Sequence, residues 1–108
     1  MPMIRGEVWW VAFDPSIGTE IQKTRPAIIV SNNASNRRLN GVVVVPVTSN
    51  VQRVYPGQTV VNVDGRASKA RVDQIKAADK SRLKSFICGL TDEEMAEVDQ
   101  AIKQHLGV

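Results

Sequence analysis

Residues 14–48 read Asp14-Pro15-Ser16-Ile17-Gly18-Thr19-Glu20-Ile21-Gln22-Lys23-Thr24-Arg25-Pro26, then Ala27-Ile28-Ile29-Val30, an asparagine-rich connection, and Val42-Val43-Val44-Val45-Pro46-Val47-Thr48. Two apolar, largely β-branched runs of strand length, separated by turn formers, argue for a fold built on short strands. The polar loop before the first run sets Glu20, Gln22, Lys23 and Arg25 close together, which reads as a site and not as a mere connection. Pro26 pushes Arg25 toward an extended backbone at the mouth of the next strand and so anchors it. From the residues alone, a surface ion pair or a bond to a loop carbonyl is the favoured role for Arg25. Thr48, where the second run meets the polar surface, is also simply a good strand residue.

Working outward, Glu7-Val8-Trp9-Trp10-Val11-Ala12-Phe13 is a strand stopped by Asp14-Pro15. Both of its alternating sets are apolar, so cover is expected on both sides, from the core and from a helix or second subunit. For its aromatic residues, core packing is the commoner role and base stacking the alternative. Residues 32–41 hold one helical turn, and Pro46 suggests an edge or bulge near the end of the Val42–Thr48 strand. Ser49–Gly57 is a second polar loop, carrying Arg53 and Tyr55. A strand at Gln58–Val63 follows, then an Asp64-Gly65 turn, a strand or half-exposed edge over 68–76, a helical turn at 79–83 and a short strand at 85–89. Thr91-Asp92-Glu93-Glu94 is a capping box that opens the clearest helix. Its stripe is Met95, Val98, Ala101, Ile102, His105 and Leu106, with His105 read as structural.

The 108 residues make one domain, 1–108, with a modest core, so further burial in a homodimer is expected. No apolar run nears the ~18 residues of a membrane span, and the N-terminus lacks a signal-peptide core, which predicts a soluble cytoplasmic protein without membrane contact. One cysteine, Cys88, and one histidine give neither an internal disulfide nor a metal-ligand cluster, so no metal or cofactor is expected. Cys88 reads as a small buried hydrophobe. The net charge of +3 hides an asymmetry: residues 1–90 hold 13 Lys+Arg and 6 Asp+Glu (+7), whereas residues 91–108 hold 1 and 5 (−4). A basic body suits a polyanion or an acidic peptide.

Several pieces together resemble the MazF/PemK family of bacterial toxins. They are Arg5-Gly6-Glu7-Val8-Trp9-Trp10-Val11, Asp14-Pro15 with Gly18-Thr19-Glu20, Arg25-Pro26-Ala27-Ile28-Ile29-Val30-Ser31-Asn32, Val45-Pro46-Val47-Thr48-Ser49, Val72-Asp73-Gln74-Ile75, and Val98-Asp99-Gln100-Ala101-Ile102 with Leu106-Gly107. The resemblance implies a mainly β fold, an SH3-like barrel with a C-terminal α-helix, forming a homodimer. It also implies an endoribonuclease that cuts single-stranded RNA, mRNA above all, without a metal and leaves a 2′,3′-cyclic phosphate and a 5′-hydroxyl. A cognate antitoxin would inhibit it with an acidic, partly disordered segment.

Carried over residue by residue, the resemblance makes Arg25 and Thr48 the catalytic pair. Glu20 takes the place of the loop glutamate, and Asp73 and Gln74 match an acid-Gln pair near the substrate. The chain departs from the pattern in the loop: Thr19 stands for the usual serine, and Ile21 holds the glutamine position, with Gln22 one place later. The expected site is then Arg25 and Thr48 as a clamp on the phosphate, with Glu20 as proton carrier. Thr19, Gln22, Lys23, Ser49, Arg53, Asp73 and Gln74 are the expected RNA contacts, and the loops 16–24 and 49–57 the readers of sequence. Two rival readings are a non-catalytic barrel that binds RNA or an acidic peptide, and a gyrase-poison toxin on the same barrel; intact Arg25, Thr48 and Glu20 favour the nuclease.

Overall fold

The computed structural model describes residues 3–13 and 23–108. Among the described residues, seven strands, β1 (Glu7–Ala12), β2 (Thr24–Ile29), β3 (Gly41–Thr48), β4 (Gln58–Val63), β5 (Arg66–Arg71), β6 (Lys76–Asp79) and β7 (Leu83–Gly89), combine with α1 (Asn33–Arg38) and α2 (Asp92–Leu106). The pairings are antiparallel and run β4-β5-β3-β2-β1-β7, with β6 also on β3. The sheet curls into a half-barrel closed by the C-terminal helix, the mainly β fold with a terminal helix that the resemblance implied.

β3 is central rather than an edge strand. On one side it meets β2, and on the other it changes partner, pairing β6 through Val44 and β5 from Val47. Pro46, which has no N–H to give, falls in the gap between those two partners, which explains a proline in mid-sheet. The stretch 68–76 is broken for a related reason: β5 ends at Arg71, Val72–Gln74 form a 3₁₀ turn, and the chain re-enters the sheet as β6.

Period-2 alternation sorts the apolar residues into two clusters. One holds Val8, Ile28, Val45, Val47, Val61, Ala70 and Val72 with Met95, Val98 and Ala101 of α2. The other, on the alternate side chains, holds Trp9, Val11, Phe13, Ala27, Ile29, Val42, Val44, Ala78 and Leu83. Double cover of the first strand is therefore only partial: Val8 is fully buried, whereas Trp10, two residues on, is 41% exposed.

The helix starts as its sequence dictates. The Thr91 hydroxyl accepts from the Glu94 N–H, and the Glu94 carboxylate accepts from the Thr91 N–H, a closed capping box. The other Glu94 oxygen accepts from Asn62 N at 2.6 Å, which ties the helix start to β4. The stripe is shorter than its sequence suggests: Met95, Val98 and Ala101 are buried, while His105 and Leu106 are exposed. His105 instead lies over Gly57, a residue at φ +85° where any Cβ would meet the imidazole at 3.1 Å. Cys88 is half-buried. An Arg5 to Asp99 ion pair, with Arg5 Nε also donating to the Val30 carbonyl at 2.9 Å, joins the basic body to the acidic helix.

Candidate functional site

Two features bring Arg25 and Thr48 together. β2 and β3 pair at Ala27 with Pro46, and continuing that antiparallel register by two residues sets Arg25 opposite Thr48. Residues opposite one another in register share a face, and here both border one cleft of about 470 Å³. Their neighbours Thr24, Pro26, Val47 and Ser49 belong to the same wall, Trp10 and Ile87 come from β1 and β7, and Val63, Asp64, Arg66 and Ser68 from the β4–β5 hairpin.

Arg25 is exposed at the start of its strand, with Pro26 and the β1 ladder fixing its backbone. Thr48 Oγ1 accepts from Asn50 N at 3.3 Å. That bond uses an oxygen lone pair and leaves the hydroxyl proton able to point into the cleft. An exposed guanidinium and a hydroxyl donor are groups that can hold a phosphate by hydrogen bonds, charge-assisted in the case of the guanidinium.

The loop after Thr48 is tied at several points. Asn50 Oδ1 accepts from Gln52 N at 3.1 Å, and Tyr55 N donates to Gln58 Oε1 at 3.1 Å. Lys69 lies opposite Thr48 on β5, is only 8% exposed, and donates from Nζ to the Arg53 carbonyl at 2.9 Å. A buried ammonium thus holds the loop next to the cleft.

The candidate residues are distributed unevenly. Arg25, Thr48 and Ser49 share the cleft. Lys23, at φ 68°, is exposed at the start of the second described segment and is not among the lining residues, and the Arg53 carbonyl takes the Lys69 bond. Asp73 and Gln74 sit on the 3₁₀ turn and are not among the lining residues. The Asp73 carboxylate receives Arg71 Nε at 2.9 Å and Nη2 at 2.6 Å, and Gln58 Nε2 at 3.2 Å. The Arg71 hydrogen bond, with Gln58 assisting against partial burial, holds the Asp73 carboxyl below the usual carboxylate range, and the same contact raises Arg71. Glu20, Thr19 and Gln22 lie outside the described residues.

Residue-level reading missed the contribution of the β4–β5 hairpin. Asp64, Arg66 and Ser68 were legible only as a turn and the strand beyond it, and no local signal places that hairpin in the same cleft as Arg25. Trp10 carried a weak signal, an aromatic residue on the second face of a strand whose first face already fills the core. Among the described residues no three His, Cys, Asp or Glu side chains group as a metal-ligand set, and no helix is long and apolar enough to cross a membrane.

The family model for the PemK-like, MazF-like toxin of type II toxin-antitoxin system matches residues 4–106. Endoribonuclease MazF9 of Mycobacterium tuberculosis is 42% identical over 113 residues, covering 96% of each chain. Endoribonuclease EndoA of Bacillus subtilis is 31% identical over 110 residues, covering 96% of this chain and 94% of its own. Among solved structures, MazF from Deinococcus radiodurans superposes with a TM-score of 0.88 at 25% identity, covering 100% of this chain and 99% of that one. A mycobacterial endoribonuclease in complex with its cognate antitoxin gives a TM-score of 0.83 at 25% identity, with coverage of 98% and 96%.

Proposed function

The chain belongs to the PemK-like, MazF-like toxins of type II toxin-antitoxin systems and is a toxin endoribonuclease, and from that premise we propose that it cuts single-stranded RNA, mRNA above all, between Arg25 and Thr48. The observation that carries this reading is the common cleft of those two residues, one an exposed cation and the other a hydroxyl with its proton to give.

Cleavage by an internal 2′-hydroxyl needs that oxygen deprotonated, the phosphorane charge stabilised and the departing 5′-oxygen protonated. Arg25 forks N–H donors onto the non-bridging oxygens, and Thr48 adds a further donor at the same centre. The 2′-oxygen bonds to phosphorus as the bond to the 5′-oxygen breaks, leaving a 2′,3′-cyclic phosphate and a 5′-hydroxyl, with no metal in the step. Glu20 is the proposed proton carrier, because a guanidinium keeps its protons at neutral pH and is a poor base there. The loops 16–24 and 49–57 read the unstacked bases.

The partners follow from the same reading. An acidic antitoxin segment matches the +7 charge of residues 1–90, and the mycobacterial endoribonuclease is known in complex with its cognate antitoxin. A homodimer in the cytoplasm is the proposed assembly, supported by the small size of the chain and by Phe86, 43% exposed on the terminal strand of the sheet.

The deciding experiment incubates the purified protein with a long single-stranded RNA in EDTA, beside Arg25→Ala, and analyses the product ends. Discrete fragments with cyclic-phosphate ends, absent for the variant, are expected. Intact RNA after prolonged incubation with a folded protein, across varied RNA sequences, overturns the reading in favour of a binding module.

A further inference from the structure

We propose that the cleft beside Arg25 and Thr48 contains a nucleobase subsite, in which Trp10 stacks against an unpaired base and Asp64 and Arg66 read its edge. The proposal rests on the reading of the chain as an RNA-cleaving enzyme and goes on to name what else the cleft holds.

The argument starts from what a phosphate clamp does not need. A site built only for the RNA backbone gains from cations and N–H donors, and a carboxylate there repels its ligand. Yet the lining shared with Arg25 and Thr48 includes Asp64, and more of it is apolar than polar, with Trp10, Pro26, Val47, Val63 and Ile87 beside Thr24, Ser49 and Ser68. Trp10 is 41% exposed within this lining, while its neighbour Trp9 is buried in the core. An exposed indole in a cleft bounded by a cationic clamp is a stacking platform, which is how proteins take up bases from single strands.

Asp64 and Arg66 supply the polar half. Asp64 (φ 52°) and Gly65 (φ 85°) form the two-residue tip of the β4–β5 hairpin, and Gly65 N donates to Asn62 Oδ1 at 2.8 Å. Successive positive φ values belong to the tight type I′ turn, so the carboxylate stands on a rigid support. Neither side chain has a hydrogen-bond or ion-pair partner among the described residues. An ionised carboxylate only accepts, and a guanidinium only donates, so together they suit an edge bearing both donors and an acceptor. Guanine offers the closest match: its ring N1–H and 2-amino group lie side by side for the two carboxylate oxygens, and its O6 accepts from arginine.

The test is a cleavage-end map on a pool of randomised single-stranded RNAs in EDTA, for the wild type, Asp64→Asn, Trp10→Ala and the Arg25→Ala control. Asn tolerates a positive φ as well as Asp does, so the hairpin tip survives the first substitution. Expected for the wild type is a guanine at one fixed position relative to the cut. Asp64→Asn is expected to relax that position, with kcat/KM on guanine substrates down about tenfold to a hundredfold. Inosine at that position, lacking the 2-amino group, slows the wild type but adds little to Asp64→Asn. Trp10→Ala raises KM more than it lowers kcat. The subsite is overturned if Arg25-dependent cuts show no fixed guanine, if Asp64→Asn leaves the map unchanged, or if Trp10→Ala leaves KM unchanged. Absence of any Arg25-dependent cut in the wild type fails the cleavage reading itself, and the subsite with it.

Discussion

Arg25 stands opposite Thr48 by continuation of the β2–β3 register from Ala27 and Pro46, and both border one cleft. A guanidinium and a hydroxyl 23 residues apart in the chain therefore border one cleft, carried there by a ladder that packs Ala27 and Ile29 into the core. Because Arg25 is exposed, Arg25→Ala is expected to leave the melting temperature nearly unchanged while lowering the cleavage rate by about 10²–10³. Arg25→Lys should recover little, since an ammonium cannot fork onto two phosphate oxygens. Thr48→Val keeps the shape and removes the donor, so single-turnover rates should fall while the far-ultraviolet spectrum is preserved.

Lys69 gives the second expectation. Lys69→Met retains most of the stem but leaves the Arg53 carbonyl without its bond from the ammonium, a loss of about 1–3 kcal/mol where the acceptor stays shielded. Urea unfolding measures the stability change, and hydrogen exchange over residues 49–57 should quicken as the loop is released. Unchanged exchange there would mean that the loop is held by its own turns alone.

Asp73 sets a pH dependence with a definite sign. Its carboxyl is held below the usual range by the Arg71 hydrogen bond, so its contribution is complete above the unfolded value of about 3.9 and is lost as pH falls through the lower folded value. Asp73→Asn is thus expected to lower stability at neutral pH by about 1 kcal/mol and to cost progressively less below about pH 4. Denaturant midpoints for both proteins between pH 7 and pH 3 check this, and a gap that widens in acid would contradict it.

The capping box offers a local test. Thr91→Ala removes the acceptor of the Glu94 N–H and loosens the start of α2, which the second Glu94 oxygen fastens to β4. A loss of about 1 kcal/mol is expected, seen as a melting temperature lower by roughly 4–6 °C. Restoring the cap with Thr91→Ser should return most of it.

The strands, the capping box and the Asp64-Gly65 turn were legible in the sequence because each depends on residues within a few positions of one another. Alternation gave β1 its two apolar faces, a proline fixed the entry to β2, and Thr91 with Glu94 closed a four-residue cap. The resemblance then singled out Arg25 and Thr48 from among many similar arginines and threonines.

What the sequence by itself determined is most of the elements, since propensity, capping and periodicity act over short distances, and, through the family resemblance, the fold they belong to. Only the tertiary structure decided which face of β1 stays open, so that Trp10 meets solvent while Val8 is sealed under α2. It alone carried Asp64 and Arg66 to the cleft that Thr48 borders, and it gave the Asp73 carboxylate to Arg71 and Gln58. The physical reason is that alternation tells which residues share a face but not what covers it. The cover depends on the change of partner along β3, from β6 to β5, and on a helix that arrives only after residue 91.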